Sequence, residues 1–263
     1  MTNPIFFGDP VQVAAAGPGD VFRLEGPEAR HAVSVKRLGI GEDVDVVDGA
    51  GRRLTGTVTD TGASVLELRV AAVLEEPAPS ERFLLVQALA KGDRDEQAVE
   101  AATELGVDTV IPWQSDRSIV RWRAEKAAKG QAKWQALTTA AAKQSRRSRI
   151  PGVEPVLDSR QLVDRLQGID LVLVLHEEAD APLAGALSEM TGRRADPAAD
   201  PADGTAPVSI AVVVGPEGGI SPAELDAMRS AGAVAVRLGP HVLRSSTAGP
   251  AALALLNQLL GRW

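Results

Sequence analysis

Downstream of about residue 82, short apolar runs alternate with longer segments in which apolar residues recur at helical spacing. Short runs rich in β-branched residues are typical of buried strands, and the segments between them are typical of amphipathic helices. This alternation predicts an α/β domain with a mostly parallel sheet that is covered by helices on both faces. The predicted strands are 83–89, 109–112, 171–175, 208–214 and 233–238. The predicted helices are 95–105, 124–143, 159–166, 182–189, 222–230 and 249–260.

The first 75 residues follow a different pattern. Strand character over 42–47, 53–59 and 64–73 is interrupted by turn sequences at 48–51 and 60–63. We therefore expect a small β-barrel over residues 1–75, and the pattern alone does not distinguish an RNA-binding barrel from any barrel that packs on an enzyme domain.

One helical segment, 27–38, interrupts the strands of this first part and ends before Gly39. It carries three residues that can contact an anionic partner, His31, Lys36 and Arg37. A Pro- and Glu-containing linker over 76–81 separates this part from the α/β domain at 82–263.

A second irregular stretch, about 191–207, is rich in Pro, Ala and Asp and poor in large apolar residues. Such a composition cannot bury enough surface to order itself, so we expect a mobile surface loop between two strands.

Composition narrows the class of protein. The chain is 44% hydrophobic and 24% charged, as in ordinary globular proteins. The absence of cysteine excludes disulfides and thiolate metal sites, and the three histidines lack the spacing of metal ligands. No run approaches the roughly 18 apolar residues of a membrane span. We expect a cytoplasmic protein with no membrane association.

The net charge of −7 argues at first against a nucleic-acid partner. The distribution of charge along the chain weakens that argument, because residues 117–149 contain ten Lys or Arg and one acid, Glu125. A local charge of this sign suits a phosphate-facing surface, although a solvated helix face has the same composition. The basic cluster at 146–149 favours RNA.

The clearest candidate site is Gly215-Pro216-Glu217-Gly218-Gly219, which follows the apolar run at 208–214. The next residues form a helix start, with Ser221 as N-cap, Pro222 at the first position and Glu224 three residues after the cap. Glycines let a ligand approach the backbone N–H groups closely, whereas an ordinary βα turn is the alternative for a glycine pair alone.

A second unusual turn, 236–250, also follows an apolar run and precedes a helix. Two consecutive turns of this kind suit a ligand that lies across the carboxyl ends of adjacent parallel strands. Neither turn matches the dinucleotide-binding fingerprint or the phosphate-binding loop. Nucleotide phosphate binding is therefore the weaker interpretation.

GPEGGIS followed by LGPHVLRSSTA resembles the C-terminal signature of SPOUT-class RNA methyltransferases, and more narrowly the RsmE-type family. The similarity extends to Lys91-Gly92-Asp93, to residues 102–107 and 144–147, and to the region of His31. It therefore covers nearly the whole chain. Ser246 stands where the family commonly has Glu, and Ala101 stands where it commonly has Lys.

The resemblance implies a knotted SPOUT domain behind a PUA-like RNA-binding barrel, and a homodimer. It implies methylation of N3 of a uridine in 16S ribosomal RNA, or in the small ribosomal subunit, with S-adenosylmethionine as cofactor and no metal. The alternatives are a non-catalytic RNA-binding assembly factor on the same fold, or a SPOUT methyltransferase that acts on a ribose 2′-OH or on guanine.

By the same resemblance, the cofactor occupies three loops. The implied cofactor-binding residues are Leu175, His176, Glu177, Gly215, Pro216, Glu217, Gly218, Gly219, Leu238, Gly239, Leu243, Ser245, Ser246, Thr247 and Ala248.

The uracil N3 must lose its proton, so a base or a stabilising cation is needed at the site. We expect Arg244 to be that cation and Glu217 to be either the base or a carboxylate that positions the cofactor. The alternative for Arg244 is a salt bridge to Glu217 that braces the loops.

The expected RNA-binding residues are His31, Lys36, Arg37, Lys91, Arg117, Arg146, Arg147 and Arg149.

Overall fold

The computed structural model describes residues 3–194 and 207–263. The chain forms two compact units, of which the first comprises Met1–Ala78 and Ala142–Ile150 and the second comprises Pro79–Ala141 and Pro151–Trp263. The first unit thus includes a segment that the sequence analysis assigned, by its place in the chain, to the α/β domain. The division expected from the sequence, 1–75, 76–81 and 82–263, stays a prediction.

The first unit is built on a five-stranded sheet in the order β1-β3-β4-β5-β2. All five strands contribute side chains to one hydrophobic core, as a small barrel requires. Its elements are β1 (Ile5–Phe7), α1 (Pro10–Ala15), β2 (Val21–Glu25), α2 (Gly26–Arg30), a π-helical turn (His31–Val35), β3 (Asp43–Val47), β4 (Arg52–Gly62) and β5 (Val65–Glu75).

The helix expected over 27–38 is wrong in extent, because the α-helical part ends at Arg30 and the π-helical turn ends at Val35. Arg37 then adopts a left-handed backbone conformation with φ 57°, which ends helical continuation.

The second unit contains a seven-stranded sheet in which every pair is parallel, with the main order β12-β10-β11-β6-β7-β8 and with β9 paired to β7. Its strands are β6 (Glu81–Ala88), β7 (Thr109–Gln114), β8 (Gly152–Val153), β9 (Leu157–Asp158), β10 (Leu171–Leu175), β11 (Val208–Val214) and β12 (Val234–Val236). Its helices are α3 (Arg94–Glu104), α4 (Glu125–Gln144, the last three residues belonging to the first unit), α5 (Ser159–Leu166), α6 (Leu183–Arg194), α7 (Pro222–Ser230) and α8 (Ser245–Leu259).

Strand β11 shows why helices cover both faces of this sheet. Ile210, Val212 and Val214 point into the core formed with α3, α6 and α8, whereas Ala211 and Val213 point into the core formed with α5 and α7. Alternate side chains of a strand lie on opposite faces, so a wholly apolar strand needs a cover on each side. The predicted α/β class with a mostly parallel sheet is confirmed.

In the second unit, two helix boundaries differ from the sequence prediction by more than one residue. The helix expected over 182–189 extends to Arg194, so residues 191–194 of the expected surface loop are helical, and residues 195–206 lie outside the described residues. Helix α8 begins at Ser245 rather than Gly249, which places Pro250 inside the helix. Within the described residues, none of the helices combines the length and the apolar character that crossing a bilayer requires.

Candidate functional site

The loops that follow β10, β11 and β12 surround a cleft of about 920 Å³ in the second unit. Because parallel strands end at the same edge of their sheet, their following loops meet there. The first turn of α8 contributes Ser245 and Ala248 to the wall. The two turns that the sequence analysis selected, 215–219 and 236–250, are therefore brought together as expected.

The turn after β11 needs its glycines for two different reasons. Gly219 has φ +73°, a conformation that other residues rarely adopt, and its N–H donates to the carbonyl of Pro216 (2.9 Å). A Cβ at Gly215 would lie 2.7 Å from the side chain of Ile220. This segment is a tight and closely packed turn whose shape depends on those positions.

The predicted helix start after this turn is confirmed. The side chain of Ser221 accepts a hydrogen bond from the backbone N–H of Glu224, and the Glu224 carboxylate accepts one from the backbone N–H of Ser221 (2.9 Å). This reciprocal pair fixes the direction in which the chain leaves the cleft.

Glu224 also has a role that the sequence analysis missed. It is only 4% exposed, and its Oε1 accepts hydrogen bonds from the Asp116 N–H (2.7 Å) and the Ser159 hydroxyl (2.5 Å). Burial alone raises the pKa of Glu224, but the bonds from Ser159, Asp116 and Ser221 outweigh it and hold the pKa below 4.5. The carboxylate thus joins α7, α5 and the segment after β7.

Glu217 lies on the cleft wall and holds the segment after β6 against the turn. Its Oε1 accepts hydrogen bonds from the Arg94 guanidinium (3.0 Å) and from the Lys91 backbone N–H (3.1 Å). Burial alone raises the pKa of Glu217, but its backbone hydrogen bonds and Arg94 hold that pKa below the ordinary value of 4.5. An ionised, paired carboxylate of this kind is a weak proton acceptor.

Arg244 also lies on the cleft wall, directly before α8. Its guanidinium is exposed and makes no ion pair among the described residues, so the alternative of a bracing salt bridge to Glu217 is wrong. The partner of Glu217 is Arg94, which is nearer because α3 begins beside the turn.

Ser245 provides a polar atom that the protein itself leaves unsatisfied. The residue is 8% exposed and lines the cleft, and its hydroxyl has no hydrogen-bond partner within the described part of the chain. A buried hydroxyl without a partner is costly, so this atom suits a polar group of a ligand.

Most of the expected cofactor-binding residues line this one cleft. Ser246 and Thr247 are the two that do not, although both belong to the first turn of α8. The cleft-lining members of the expected set are Leu175, His176, Glu177, Gly215, Pro216, Glu217, Gly218, Gly219, Leu238, Gly239, Leu243, Ser245 and Ala248.

The expected RNA-binding residues fall into two groups. Lys91 and Arg117 belong to the second unit, and both are exposed. Arg117 lines the cleft and donates to the carbonyl of Gly218 (3.0 Å). The other six belong to the first unit: His31, Lys36, Arg37, Arg146, Arg147 and Arg149.

Within the first unit, Lys36 and Arg37 project from the end of the π-helical turn and are exposed. His31 packs edge-on against Phe6 at a ring separation of 6.1 Å. Burial, followed by the positive charge of Lys143, lowers the pKa of His31. His31 therefore acts mainly as an uncharged packing residue near neutral pH, and Lys36 and Arg37 supply the charge.

The Arg149 side chain makes its hydrogen bonds within the protein. Its guanidinium donates to the backbone carbonyls of Ala50 and Glu76, and it fills the space beside Gly51 that a Cβ would occupy. Arg149 therefore braces the first unit. Arg146 is exposed, and its carbonyl accepts a hydrogen bond from Arg53 (3.0 Å).

Comparison with known proteins assigns both parts of the chain. A family model described as an RNA methyltransferase domain matches residues 76–257, and one described as an RNA methyltransferase PUA domain matches residues 24–70. The chain is 42% identical over 249 residues to the ribosomal RNA small subunit methyltransferase E of Mycobacterium bovis, covering 93% of this chain and 89% of the relative. It is 30% identical over 241 residues to the Bacillus subtilis protein of the same name, covering 90% and 89%.

A solved structure extends this similarity to three dimensions. It is the ribosomal RNA small subunit methyltransferase E of Neisseria gonorrhoeae bound to S-adenosyl methionine. The match has a TM-score of 0.79 at 26% identity and covers 98% of both chains.

Proposed function

Because this chain belongs to the RNA methyltransferase family that includes ribosomal RNA small subunit methyltransferase E, we propose that it transfers a methyl group from S-adenosylmethionine to N3 of a uridine in 16S ribosomal RNA. The observation that carries the proposal is the cleft at the carboxyl ends of β10, β11 and β12, which gathers nearly all of the residues expected to hold the cofactor.

The residues present fit that cofactor. S-adenosylmethionine, when bound, supplies an activated methyl group on a sulfonium, so no metal is required for activation. The turn at 215–219 lines the cleft, and the unsatisfied hydroxyl of Ser245 offers a hydrogen bond. The protein's contribution is then mainly to position the two reactants.

We assign different roles to the two charged residues of the cleft. Arg244, exposed and without an acidic partner among the described residues, stabilises the negative charge that develops on the uracil as N3 loses its proton. Glu217, held ionised by Arg94 and the Lys91 N–H, positions the turn at 215–219, which we call the cofactor turn, rather than removing the proton.

The replacement of the family's usual Glu by Ser246 bears on the non-catalytic alternative. Ser246 lies in the first turn of α8 but not on the cleft wall. A side chain at that position therefore affects the cleft only indirectly. The presence of Ser246 in place of Glu thus gives no support to the alternative in which the protein has lost activity.

The remaining parts of the proposal concern the whole protein. The partner is the small-subunit ribosomal RNA or the small ribosomal subunit, with the PUA-like unit over residues 1–75 as an additional RNA-binding surface. The SPOUT domain, 82–263, carries a C-terminal trefoil knot and forms a homodimer. A cytoplasmic location follows from the proposed substrate.

The first experiment is a calorimetric titration of the protein with S-adenosylmethionine, with Gly219→Val as the test variant. Gly219 lies in the cleft with φ +73°, so a β-branched residue strains the turn and we expect binding to weaken at least about tenfold. Gly232→Val is the matched control, because Gly232 has φ +95° and lies outside the cleft wall.

Labelled-methyl transfer to an unmodified 16S ribosomal RNA transcript, followed by mass spectrometry of the nucleosides, tests the acceptor atom. We expect 3-methyluridine. A 2′-O-methylated or guanine-methylated product would replace the N3 assignment, and absence of cofactor binding by the wild type, even with RNA present, would contradict the methyltransferase proposal.

A further inference from the structure

Two arginines from different parts of the second unit hold adjacent residues of the cofactor turn. Arg94, in the first turn of α3, pairs with the carboxylate of Glu217 at 3.0 Å. Arg117, from the segment after β7, donates to the backbone carbonyl of Gly218 at 3.0 Å. Because consecutive Cα atoms are about 3.8 Å apart, the two guanidinium groups attach to neighbouring points of one turn.

Arg94 is held in place by a constrained segment. Gly92 and Asp93 both have left-handed backbone conformations, with φ 65° and 57°. The buried carboxylate of Asp95 accepts a hydrogen bond from the Ala90 N–H at 3.0 Å. These constraints fix the point from which the Arg94 side chain leaves the backbone.

Arg117 is anchored through its neighbour Asp116. The Asp116 N–H donates to the buried carboxylate of Glu224, and its own carboxylate accepts a hydrogen bond from the Ser221 hydroxyl (3.3 Å). The Asp116 carboxylate is therefore directed towards Ser221. The Arg117 side chain, which lines the cleft, is exposed and makes no ion pair among the described residues.

Both guanidinium groups keep unused hydrogen-bond donors. A guanidinium has five N–H donors, and each of these two groups makes one side-chain hydrogen bond to the turn, through one terminal nitrogen. Glu217 balances one of the two positive charges, so the pair retains a net positive charge on the cleft wall. Exposed arginine donors beside a net positive charge match the oxygens of a phosphodiester.

We propose that Arg94 and Arg117 form one binding site for an RNA backbone phosphate on the wall of the cleft. The same two side chains hold Glu217 and Gly218, so phosphate binding and the shape of the cofactor turn are coupled. This inference rests on the proposed function, because it specifies how the RNA substrate reaches that cleft. It predicts that RNA and S-adenosylmethionine strengthen each other's binding by the same factor.

The test compares the wild type with Arg94→Gln, Arg117→Gln and the double variant. Binding of an unmodified 16S ribosomal RNA transcript is measured over a series of salt concentrations. We expect the double variant to reduce the magnitude of the log–log salt slope by about 0.7–0.9, the loss of one phosphate contact. It should also abolish the mutual strengthening of RNA and cofactor binding. Arg160→Gln is the matched control, because Arg160 is an exposed arginine of α5 outside the cleft.

Two further measurements separate this inference from its alternatives. Arg117→Lys should keep the salt slope of the wild type, because it retains the positive charge. If the hydrogen bond to Gly218 had a purely structural role, the slope would be the same as that of the wild type in every variant. Thermal melting checks that each variant is folded. If Arg94→Gln does not fold, the salt dependence is measured on Arg117→Gln alone.

An unchanged salt slope in the folded double variant, or in folded Arg117→Gln where the double variant does not fold, overturns the inference. A weaker affinity for S-adenosylmethionine with an unchanged salt slope also overturns it, because the arginines would then face the carboxylate of the cofactor. Failure of the wild type to bind either ligand would instead contradict the proposed function.

Discussion

Arg244 and Glu217 do not form the salt bridge that was the alternative expectation for Arg244. Both lie on the cleft wall, but the carboxylate is occupied by Arg94 and the Arg244 guanidinium remains exposed. A cation without an acidic partner is available to a charge that develops on a substrate, whereas a paired carboxylate with a lowered pKa is not a strong base. We therefore propose that Arg244 stabilises the developing charge and that Glu217 positions the turn.

Arg244→Ala should lower the rate of methyl transfer while leaving S-adenosylmethionine affinity nearly intact. Loss of a single stabilising donor or cation costs about 10²- to 10³-fold in kcat. Single-turnover transfer to the 16S ribosomal RNA transcript and calorimetric titration of the cofactor measure the two effects separately. Arg244→Lys is the control that keeps the charge, and an equal loss of cofactor affinity would assign Arg244 to cofactor binding instead.

At the scale of single residues, local motifs could be predicted from the sequence and distant partners could not. The Ser221–Glu224 capping pair was recognisable because its members lie three positions apart. The other partners of Glu224, Asp116 and Ser159, are 108 and 65 positions away. The choice of Arg94 as partner of Glu217, 123 positions away, is likewise set by the fold.

At the scale of elements, the long apolar strands and capped helices were predicted well, and the short or atypical elements were not. The bounds of β10, β11, α5 and α7 agree with the sequence prediction. The elements β1 and α1, with three and six residues, are too short to establish a period, and β2, unlike the wholly apolar β10, includes two charged residues among its five. Helix α8 was predicted to begin at Gly249, yet it begins at Ser245 and tolerates Pro250 inside the helix.

Glu224→Gln tests how strongly one carboxylate connects α7, α5 and the segment after β7. Removing charged hydrogen bonds from a buried carboxylate should cost about 1.5–3 kcal/mol of the free energy of unfolding near neutral pH. Chemical denaturation measures this loss. Glu100→Gln, at an exposed position of α3, is the matched control and should leave the free energy of unfolding unchanged.

The same variant has a predictable dependence on pH. The pKa of Glu224 is lowered in the folded protein, so its stabilisation is present above the unfolded value of 4.5 and is lost as the pH falls through the lower folded value. The difference in stability between the wild type and Glu224→Gln should therefore begin to shrink as the pH falls below 4.5. A difference that stays constant with pH would contradict the role of the charged form.

At the scale of the whole molecule, the basic segment 117–149 is less available than its composition indicated. Lys133 pairs with Glu96 and Lys143 pairs with Glu28. Arg149 donates to backbone carbonyls, as does Arg121 to those of Ser115 and Asp116. Net charge along a sequence is therefore an upper limit on the charge offered to RNA, because folding pairs many of the cations internally.

The two units are not contiguous in the chain, which leads to a prediction about fragments. Ala142 and Ser148 are fully buried in the first unit, and Ser148 donates a hydrogen bond to the side chain of Glu76. A fragment of residues 79–263 would retain 142–150 but lose their partners. We expect it to melt about 4–8 °C below the full chain, the effect of about 2 kcal/mol for a domain of this size.

Differential scanning calorimetry of the fragment and of the full chain measures this difference. Adding a separate 1–78 fragment should recover part of the lost stability, since it restores the partners of Ala142 and Ser148. Equal melting temperatures of the fragment and of the full chain would show that 142–150 contributes nothing.

The place of Ala142–Ile150 also has an evolutionary consequence. A single recombination event near residue 79 would exchange the first unit between two relatives but would leave behind the segment that completes it. The hybrid would combine Ser148 and Arg149 from one parent with Glu76 and Gly51 of the other, whose side chain and open space they depend on. Inheritance of the two units is therefore coupled, and substitutions in 142–150 should be accompanied across relatives by compensating substitutions near residues 45–53 and 76.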